Sequence, residues 1–256
     1  MAHKSQRLKT LIMTSAMYTG TTFLRELLEA IPILTDVVLT RDLASDEDGP
    51  FYLFDCINRV WRAPQVNLNS VGSYFTSLNE GRDKVLFVEG HIHEHWMHSL
   101  VFFVPFYHKV VAPIRHPFDS MLTQYMRREP SILNDTPQDY YKHGGWVWSY
   151  LQILALKKHR PKDVVLVPVD LLGQEPVAQR LVILNSLLED VGIRVSERDE
   201  EHQKFYQLAR DWNPINTHPG EKIVSLEVRQ EITKRLDLAM VYYYLQQVGI
   251  NYPYKA

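Results

Sequence analysis

Three short segments of the chain carry side chains that bind phosphate or move protons in other proteins. Residues 14–23 surround Gly20 with small and hydroxyl residues, and residues 115–125 open with an arginine. Residues 90–98 contain four histidines. Backbone amides, hydroxyls and guanidinium groups bind anions, and imidazole exchanges protons near neutral pH. The three segments together therefore indicate anion binding combined with acid–base chemistry.

The segment around Gly20 predicts an anion cradle. It follows an apolar run and leads directly into a helical pattern, so it offers the unpaired N–H groups and positive dipole end of a helix start. Thr19, Thr21 and Thr22 add hydroxyl donors, and Gly20 lets a phosphate approach the backbone closely. The Walker A pattern is excluded because its first Gly and its Lys are missing. An ordinary helix cap at Thr19 or Thr21 is the alternative interpretation.

Arg115 and Thr123 predict a second anion site. An apolar run ends at Arg115, and the helical pattern that follows brings the Thr123 hydroxyl back toward the guanidinium two turns later. A guanidinium fork beside a hydroxyl suits a phosphate group. Asp119 is interpreted as a helix cap or as a partner that orients Arg115. The alternative for Arg115 is a structural ion pair with such an acid.

The histidine-rich segment predicts a general base. His91 and His93 follow an apolar run, and an imidazole with an ordinary pKa near ~6.5 accepts a proton at neutral pH. His91 is favoured because it is nearer the strand end, and His93 is the second candidate. The H-x-H-x-H pattern also suits a metal, but no Cys or carboxylate cluster completes such a site, so we expect no metal. His95 and His98 are interpreted as ordinary surface or core histidines.

Short apolar runs alternate with longer helical patterns along the chain, which predicts an α/β fold with a central parallel β-sheet covered by helices on both faces. In such sheets ligands bind beyond the carboxyl ends of the strands, where all three segments fall. Short helices are expected within residues 51–83. The strands are predicted at residues 8–14, 35–40, 84–89, 109–114 and 163–169. The helical patterns occupy residues 21–30, 94–103, 118–128, 137–159, 176–191, 197–211 and 226–248.

Composition narrows the class of protein. The chain has 256 residues, 45% of them hydrophobic, which suits one domain spanning residues 1–256. A net charge of −2 does not favour nucleic acid as a partner. A single cysteine, Cys56, excludes an intramolecular disulfide, and no apolar run is long enough for a signal peptide or membrane span. We therefore expect a cytoplasmic protein without a membrane partner.

Residues 17–22 and residues 115–123, in this order along the chain, resemble two signatures of the sulfotransferase superfamily. The family loop P-[KR]-S-G-T-T is matched by Met17, Tyr18, Thr19, Gly20, Thr21 and Thr22. The family pattern R-[ND]-P-x-D-x(3)-S is matched by Arg115, His116, Pro117, Asp119 and Thr123, with Thr in place of Ser. Weaker similarities include Asp170, Leu171 and Pro176 after the last predicted strand, and a late Gly-Lys loop containing Lys222.

The resemblance implies a P-loop-like fold and a PAPS-dependent sulfotransferase. Such an enzyme transfers a sulfuryl group from 3′-phosphoadenosine 5′-phosphosulfate (PAPS) to an acceptor and releases adenosine 3′,5′-bisphosphate (PAP). The loop at residues 17–22 would hold the 5′-phosphosulfate, and Arg115 with Thr123 would hold the 3′-phosphate. The family places its general base after the third predicted strand, which His91 and His93 both fit. The acceptor is expected to be a hydroxyl or amine of a small molecule or carbohydrate.

One position departs from the family pattern. Tyr18 stands where the family has Lys or Arg, a cation that stabilises charge on the bridging oxygen as the sulfuryl group leaves. Lys109, Arg25 and Lys222 are the candidates to supply that charge. Two alternatives therefore stay open: a catalytically weak or inactive sulfotransferase-like protein that binds nucleotide, and a degenerate P-loop phosphotransferase.

Overall fold

The computed structural model describes residues 10–16, 19–39, 54–55, 60–61, 83–92, 108–128, 146–212, 226–227, 230 and 238–252. Five strands form one parallel sheet in the order β2-β5-β1-β6-β7, and β3 pairs antiparallel with β4. The strands are β1 (Thr10–Ser15), β2 (Val38–Leu39), β3 (Phe54–Asp55), β4 (Val60–Trp61), β5 (Leu86–His91), β6 (His108–Ile114) and β7 (Val164–Pro168).

The central strands are apolar almost without interruption because both faces of the sheet are covered. In β1 the residues from Leu11 to Ser15 are all buried, and β7 reads Val-Val-Leu-Val-Pro with its first four residues buried. Branched aliphatic side chains suit a pleated surface that is packed on both sides. The buried sequence of β1 agrees with its position at the centre of the sheet, between β5 and β6.

Helices cover the two faces of the sheet. The helices are α1 (Thr21–Glu29), α2 (Pro117–Arg128), α3 (Trp146–His159), α4 (Val169–Gln174), α5 (Val177–Asp190), α6 (Gln203–Arg210) and α7 (Leu238–Gln247), with a 3₁₀ turn at Glu200–His202. Leu11 and Met13 of β1 pack with apolar residues of α1, α5 and α6, which define the α1 face. Ile12, on the opposite side, packs with residues of α2, α3 and α7, which define the α2 face.

The predicted α/β class is confirmed, and each of the five predicted sheet strands has a counterpart in the observed sheet. Strand β7 ends at Pro168, so Val169 begins the short helix α4 and does not extend the strand. The prediction for residues 197–211 was wrong at its start, where a 3₁₀ turn precedes α6. Within residues 51–83, β3 and β4 form an extended pair where short helices were expected.

Three predicted helices fall wholly or partly on residues that the structure does not describe. The helix predicted at residues 94–103 lies wholly outside the described residues. The start of the helix predicted at 137–159 also lies outside them, as do most of residues 228–237 in the helix predicted at 226–248. Within the described ranges, no helix has both the length and the apolar character needed to cross a membrane.

Candidate active site

The carboxyl edge of the sheet brings the three predicted segments onto neighbouring strands. Ser15 of β1 pairs in register with His91 of β5, and Met13 of β1 pairs with Val111 of β6. The loop that leads into α1 and the turn at Arg115 therefore leave the sheet side by side, next to His91. Parallel α/β sheets bind ligands at this edge, so this is where a site is expected.

The start of α1 has the features of an anion cradle. Gly20 is the N-cap residue, and within the described part of the chain no side chain caps this helix. Thr19 is buried, and its hydroxyl donates to the carbonyl oxygen of Ala16 at 2.8 Å. Because Thr19 faces back into the loop and Gly20 has no side chain, the interpretation of Thr19 or Thr21 as an ordinary cap was wrong. Among the described residues, no side chain accepts from the first-turn amides, an arrangement that suits an anion.

Glycine is required at position 20 for two independent reasons. Its φ of 95° lies in the left-handed region that other residues adopt only at a cost. A Cβ atom at this position would also lie 2.8 Å from Cγ2 of Val169, at the start of α4. The loop before α1 thus packs tightly against the segment that follows β7. The sequence pattern alone identifies the glycine, but its contact with Val169 depends on the tertiary fold.

His91 ends β5 and lies on the α1 face, because it alternates with Phe87 and Glu89 along the strand. Its Nδ1 atom lies 3.2 Å from Oγ of Ser15, which is fully buried. His91 itself is only partly buried. The contact fixes the ring on its Nδ1 side, and Nε2 is the nitrogen on the other side of the ring. Ser15 was not predicted as a site residue; its only sequence signal is a hydroxyl at the strand end.

Arg115 and Thr123 are brought together as predicted. Nη1 of Arg115 donates to Oγ1 of Thr123 at 3.3 Å, and the Thr123 hydroxyl donates to the carbonyl oxygen of Asp119 at 2.8 Å. The backbone carbonyl of Asp119 thus holds the Thr123 hydroxyl, and that hydroxyl in turn contacts Arg115. Among the described residues, Arg115 has no carboxylate partner, so the alternative of a structural ion pair is not supported. Most of its five N–H donors stay available for a ligand.

Buried polar groups hold the backbone of the Arg115 turn. The Tyr150 hydroxyl donates to the carbonyl oxygen of Arg115 at 2.7 Å, and the backbone N–H of His116 donates to Oδ2 of Asp170 at 2.8 Å. Tyr252 donates to the other carboxylate oxygen of Asp170 at 2.5 Å. Burial, followed by the charge of Asp170, raises the pKa of Tyr150 well above its ordinary value. Both phenols thus remain protonated donors, and no sequence motif indicated the role of Tyr150.

An ion pair lies beside His91 on the α1 face. Nη1 of Arg25, on α1, donates to Oε2 of Glu89, on β5, at 3.2 Å. The side chains are 24% and 13% exposed, so the pair is largely shielded from water. Glu89 precedes His91 by two residues and therefore projects from the same face of the strand. Arg25 is thus the one of the three candidate substitute cations that the described residues place near the cradle.

Lys109 is excluded as a substitute cation by its position. It lies at the amino end of β6, and its Nζ donates to Oδ1 of Asp163 and to the carbonyl oxygen of Lys162, at 2.8 and 2.7 Å. The cradle is at the opposite edge of the same sheet. The strand predicted at residues 109–114 begins at Lys109, and the observed β6 likewise has Lys109 near its amino end, away from the cradle.

Three predicted site residues fall outside the described residues: Tyr18, His93 and Lys222. Only His91 of the H-x-H-x-H pattern is described. In the described part of the chain, no three His, Cys, Asp or Glu side chains come close enough together to hold a metal ion.

Comparison with known proteins gives a likeness in structure only. No protein-family model and no curated protein sequence matches the chain. The chain is similar in structure to the sulfotransferase domain from the curacin biosynthetic pathway, with a TM-score of 0.51 at 13% identity, over 96% of this chain and 100% of that one. This likeness shows that the fold is sulfotransferase-like, as the two signatures predicted.

Two further structures are similar over most of their length. One is the sulfotransferase domain from the Synechococcus PCC 7002 olefin synthase, with a TM-score of 0.46 at 16% identity, over 99% of this chain and 92% of that one. The other is a mouse sulfotransferase complexed with PAP, with a TM-score of 0.46 at 14% identity, over 94% of this chain and 90% of that one.

Proposed function

We propose that this protein is a sulfotransferase that transfers a sulfuryl group from PAPS to a hydroxyl or amine of a small-molecule or carbohydrate acceptor. One observation carries the proposal. The uncapped start of α1, the Ser15–His91 pair and the Arg115–Thr123 pair all lie at the carboxyl edge of three neighbouring strands. Two anion sites flanking the central strand suit a ligand with a phosphate at each end, and a base lies beside one of them.

The two anion sites differ in their chemistry. At the start of α1, backbone N–H groups and the helix dipole would hold the 5′-phosphosulfate, with hydroxyls from Thr21 and Thr22 within the first turn. On the other side of β1, the Arg115 guanidinium and the Thr123 hydroxyl would hold the 3′-phosphate. A fork-shaped cation suits a terminal phosphate, which presents several oxygens at once. This division would make the protein select PAP over nucleotides that lack a 3′-phosphate.

His91 is the proposed general base. If Nδ1–H donates to Ser15, the neutral ring carries its lone pair on Nε2, which would accept the proton of the acceptor. The acceptor oxygen or nitrogen then bonds to sulfur, while the bond between sulfur and the bridging oxygen of the 5′-phosphate breaks. That oxygen leaves with PAP. His93 stays the second candidate for the base.

Calorimetric titration with PAP, ADP and AMP tests the proposal without an identified acceptor. We expect wild type to bind PAP in the micromolar range and AMP at least about thirtyfold more weakly. Arg115→Ala removes the cation of the clamp and should weaken PAP binding by about thirtyfold or more while leaving AMP binding nearly unchanged. Arg194→Ala, which removes an exposed arginine in the segment after α5, is the matched control and should change neither affinity.

Three results would contradict the proposal in different ways. PAP binding no tighter than AMP binding would reject a sulfate donor. Tighter binding of ATP with Mg²⁺ than of PAP would favour the phosphotransferase alternative. PAP binding without transfer from radiolabelled PAPS to any of a panel of phenols, alcohols, sugars and amines would favour a nucleotide-binding protein without turnover.

A further inference from the structure

Arg25 lies where a cation would face the 5′ end of a donor in the cradle. It is one helical turn along α1 from Thr21 and Thr22, on the same stripe of the helix. The Cα–Cβ bonds of a helix tilt toward its N-terminus, so the Arg25 side chain starts out in the direction of the uncapped first turn. On its other side is Glu89, and His91 follows on the same face of β5. The guanidinium thus contacts the β5 residue that lies two positions before the proposed base on the same face of the strand.

The hydrogen bonds of Arg25 differ from those of an arginine that only supports the fold. Arg180, at 6% exposure, donates to backbone carbonyl oxygens of Leu172, Gly173, Glu175, Ala209, Arg210 and Trp212. Arg25 makes one hydrogen bond within the described part of the chain, to Glu89. A guanidinium has five N–H donors, so Arg25 keeps most of them for a ligand.

We propose that Arg25 contacts the sulfuryl oxygens of the donor and supplies the positive charge that holds this group at the cradle. This inference rests on the proposed function. The sulfuryl group carries negative charge on its oxygens, and a guanidinium beside it binds those oxygens through charge-assisted hydrogen bonds. Position 18 of the loop is a tyrosine, which brings no positive charge. Arg25 provides the charge from the helix that follows the loop.

Four other cations of the described residues have contacts at other places in the fold. Arg115 lies on the opposite side of β1, where it contacts Thr123. Lys109 and Arg160 pair with Asp163 at the amino edge. Lys157 donates to two backbone carbonyl oxygens at that same edge, those of Pro161 and Val164.

Glu89 positions Arg25 and balances its charge before the donor binds. A shielded guanidinium without a counter-charge would carry a large desolvation cost, which the carboxylate offsets. The pair leaves the remaining N–H groups of Arg25 directed away from Glu89. Glu89 is therefore a positioning residue in this scheme, and Arg25 is the group that touches the donor.

Calorimetric affinities for PAPS and PAP test the assignment, because the two ligands differ only in the sulfuryl group. Arg25→Gln should weaken PAPS binding by about tenfold or more and PAP binding by less than about threefold. Arg25→Lys keeps the charge and should recover most of the PAPS affinity. Because Arg25→Gln leaves Glu89 without its counter-charge, the double variant Arg25→Gln, Glu89→Gln provides a neutral pair that keeps the fold, and it should show the same selective loss.

The same titrations separate failure of this assignment from failure of the proposed function. An equal loss of PAPS and PAP affinity in the double variant, or no loss of either, would overturn the role of Arg25 at the sulfuryl group. A wild-type protein that binds neither ligand would overturn the proposed function itself, and the Arg25 assignment with it. Thermal unfolding of each variant shows whether the compared proteins are folded.

Discussion

Among the described residues, the charged side chains at the amino edge of the sheet bond to one another, whereas Arg115 at the carboxyl edge has few protein acceptors. Lys109 and Arg160 both pair with Asp163, and Arg160 also lies 2.9 Å from Nε2 of His108. Arg115, at the other edge, makes one described side-chain contact, to Thr123. Both edges belong to the same strands, so the difference does not come from burial alone.

The comparison separates charges that pair within the fold from charges that we propose bind a ligand. Although burial opposes it, the hydrogen bond and charge of Lys109 and the charge of Arg160 lower the pKa of Asp163. Burial and then the Arg160 charge lower the pKa of His108 to about 4, against the effect of Asp163. The amino edge is thus a closed network of ion pairs. Substitutions there should change stability, and substitutions at the carboxyl edge should change binding or turnover.

The largest expected effect is on turnover, at the carboxyl edge. His91→Gln removes the proposed base and should lower sulfuryl transfer by about 10²- to 10⁴-fold, because general-base catalysis contributes about that much. PAP affinity should stay within about threefold of wild type, since the base does not hold the nucleotide. Transfer from radiolabelled PAPS to the best acceptor of the screening panel measures the first quantity, and calorimetry measures the second.

Ser15→Ala tests the same base with a smaller change. It removes the hydroxyl that contacts Nδ1 of His91 and keeps the imidazole. We expect a smaller loss of turnover and a changed pH profile, since the ring loses the contact that fixes its tautomer. Unchanged turnover in His91→Gln would reject His91 as the base and direct attention to His93. Unchanged turnover in Ser15→Ala alone would reject only the orienting role of Ser15.

The next effect is on stability, at the amino edge, and depends on pH. The pKa of His108 in the folded state, about 4, lies below its ordinary value of 6.5, so the unfolded chain binds more protons between these values. The stability that comes from a neutral His108 is complete above pH ~6.5 and is lost as the pH falls toward ~4. Between pH 7 and pH 4.5 this loss amounts to about 2–3 kcal/mol of unfolding free energy.

His108→Gln gives the control for this dependence, because the amide oxygen can still accept from Arg160 but does not titrate. Urea unfolding at the two pH values should show a smaller decrease in the variant than in wild type. Because the pKa of Asp163 is lowered from its ordinary value of 3.8, its own contribution changes mainly below this window. An equal decrease in both proteins would show that His108 is not the titrating group.

The smallest expected effect links stability and binding at the carboxyl edge. Gly20→Ala places a side chain at positive φ and against Val169, which should lower the unfolding free energy by about 1–3 kcal/mol and weaken PAP binding. Adding Val169→Ala removes the contact and leaves the backbone strain. The double variant should therefore show a favourable coupling in urea unfolding. Additive losses of unfolding free energy would mean that contact with the Val169 side chain is not what excludes a side chain at position 20.

The sheet strands and several helices were predictable from the sequence because burial on both faces gives a strand a nearly continuous apolar run. Thr19 to Thr22, His91, Arg115 and Thr123 were also identifiable, since loops after such strands face the ligand edge of an α/β sheet. Less regular pieces were missed. The short helix α4 begins within what reads as one apolar run, Val164 to Val169, so periodicity alone does not separate it from β7.

Contacts between distant segments required the tertiary structure. The sequence alone named Lys109 and Arg25 as candidate cations but did not show that Lys109 pairs with Asp163 or that Arg25 pairs with Glu89. It also gave no indication that Tyr150 supports the Arg115 turn across 35 residues of chain. Both relations depend on which strand neighbours which and on how helices pack over them.

By itself, then, the sequence determined the α/β class, the sheet strands and the order of the candidate anion-binding segments, because these follow from local periodicity and from the residue types at strand ends. Only the tertiary structure decided which of the polar and charged side chains contact each other. It paired Ser15 with His91 and Arg25 with Glu89, and it joined Lys109 and Arg160 to Asp163. The physical reason is that hydrogen bonds and ion pairs act over a few ångströms, and such distances between remote residues are set by strand order and helix packing.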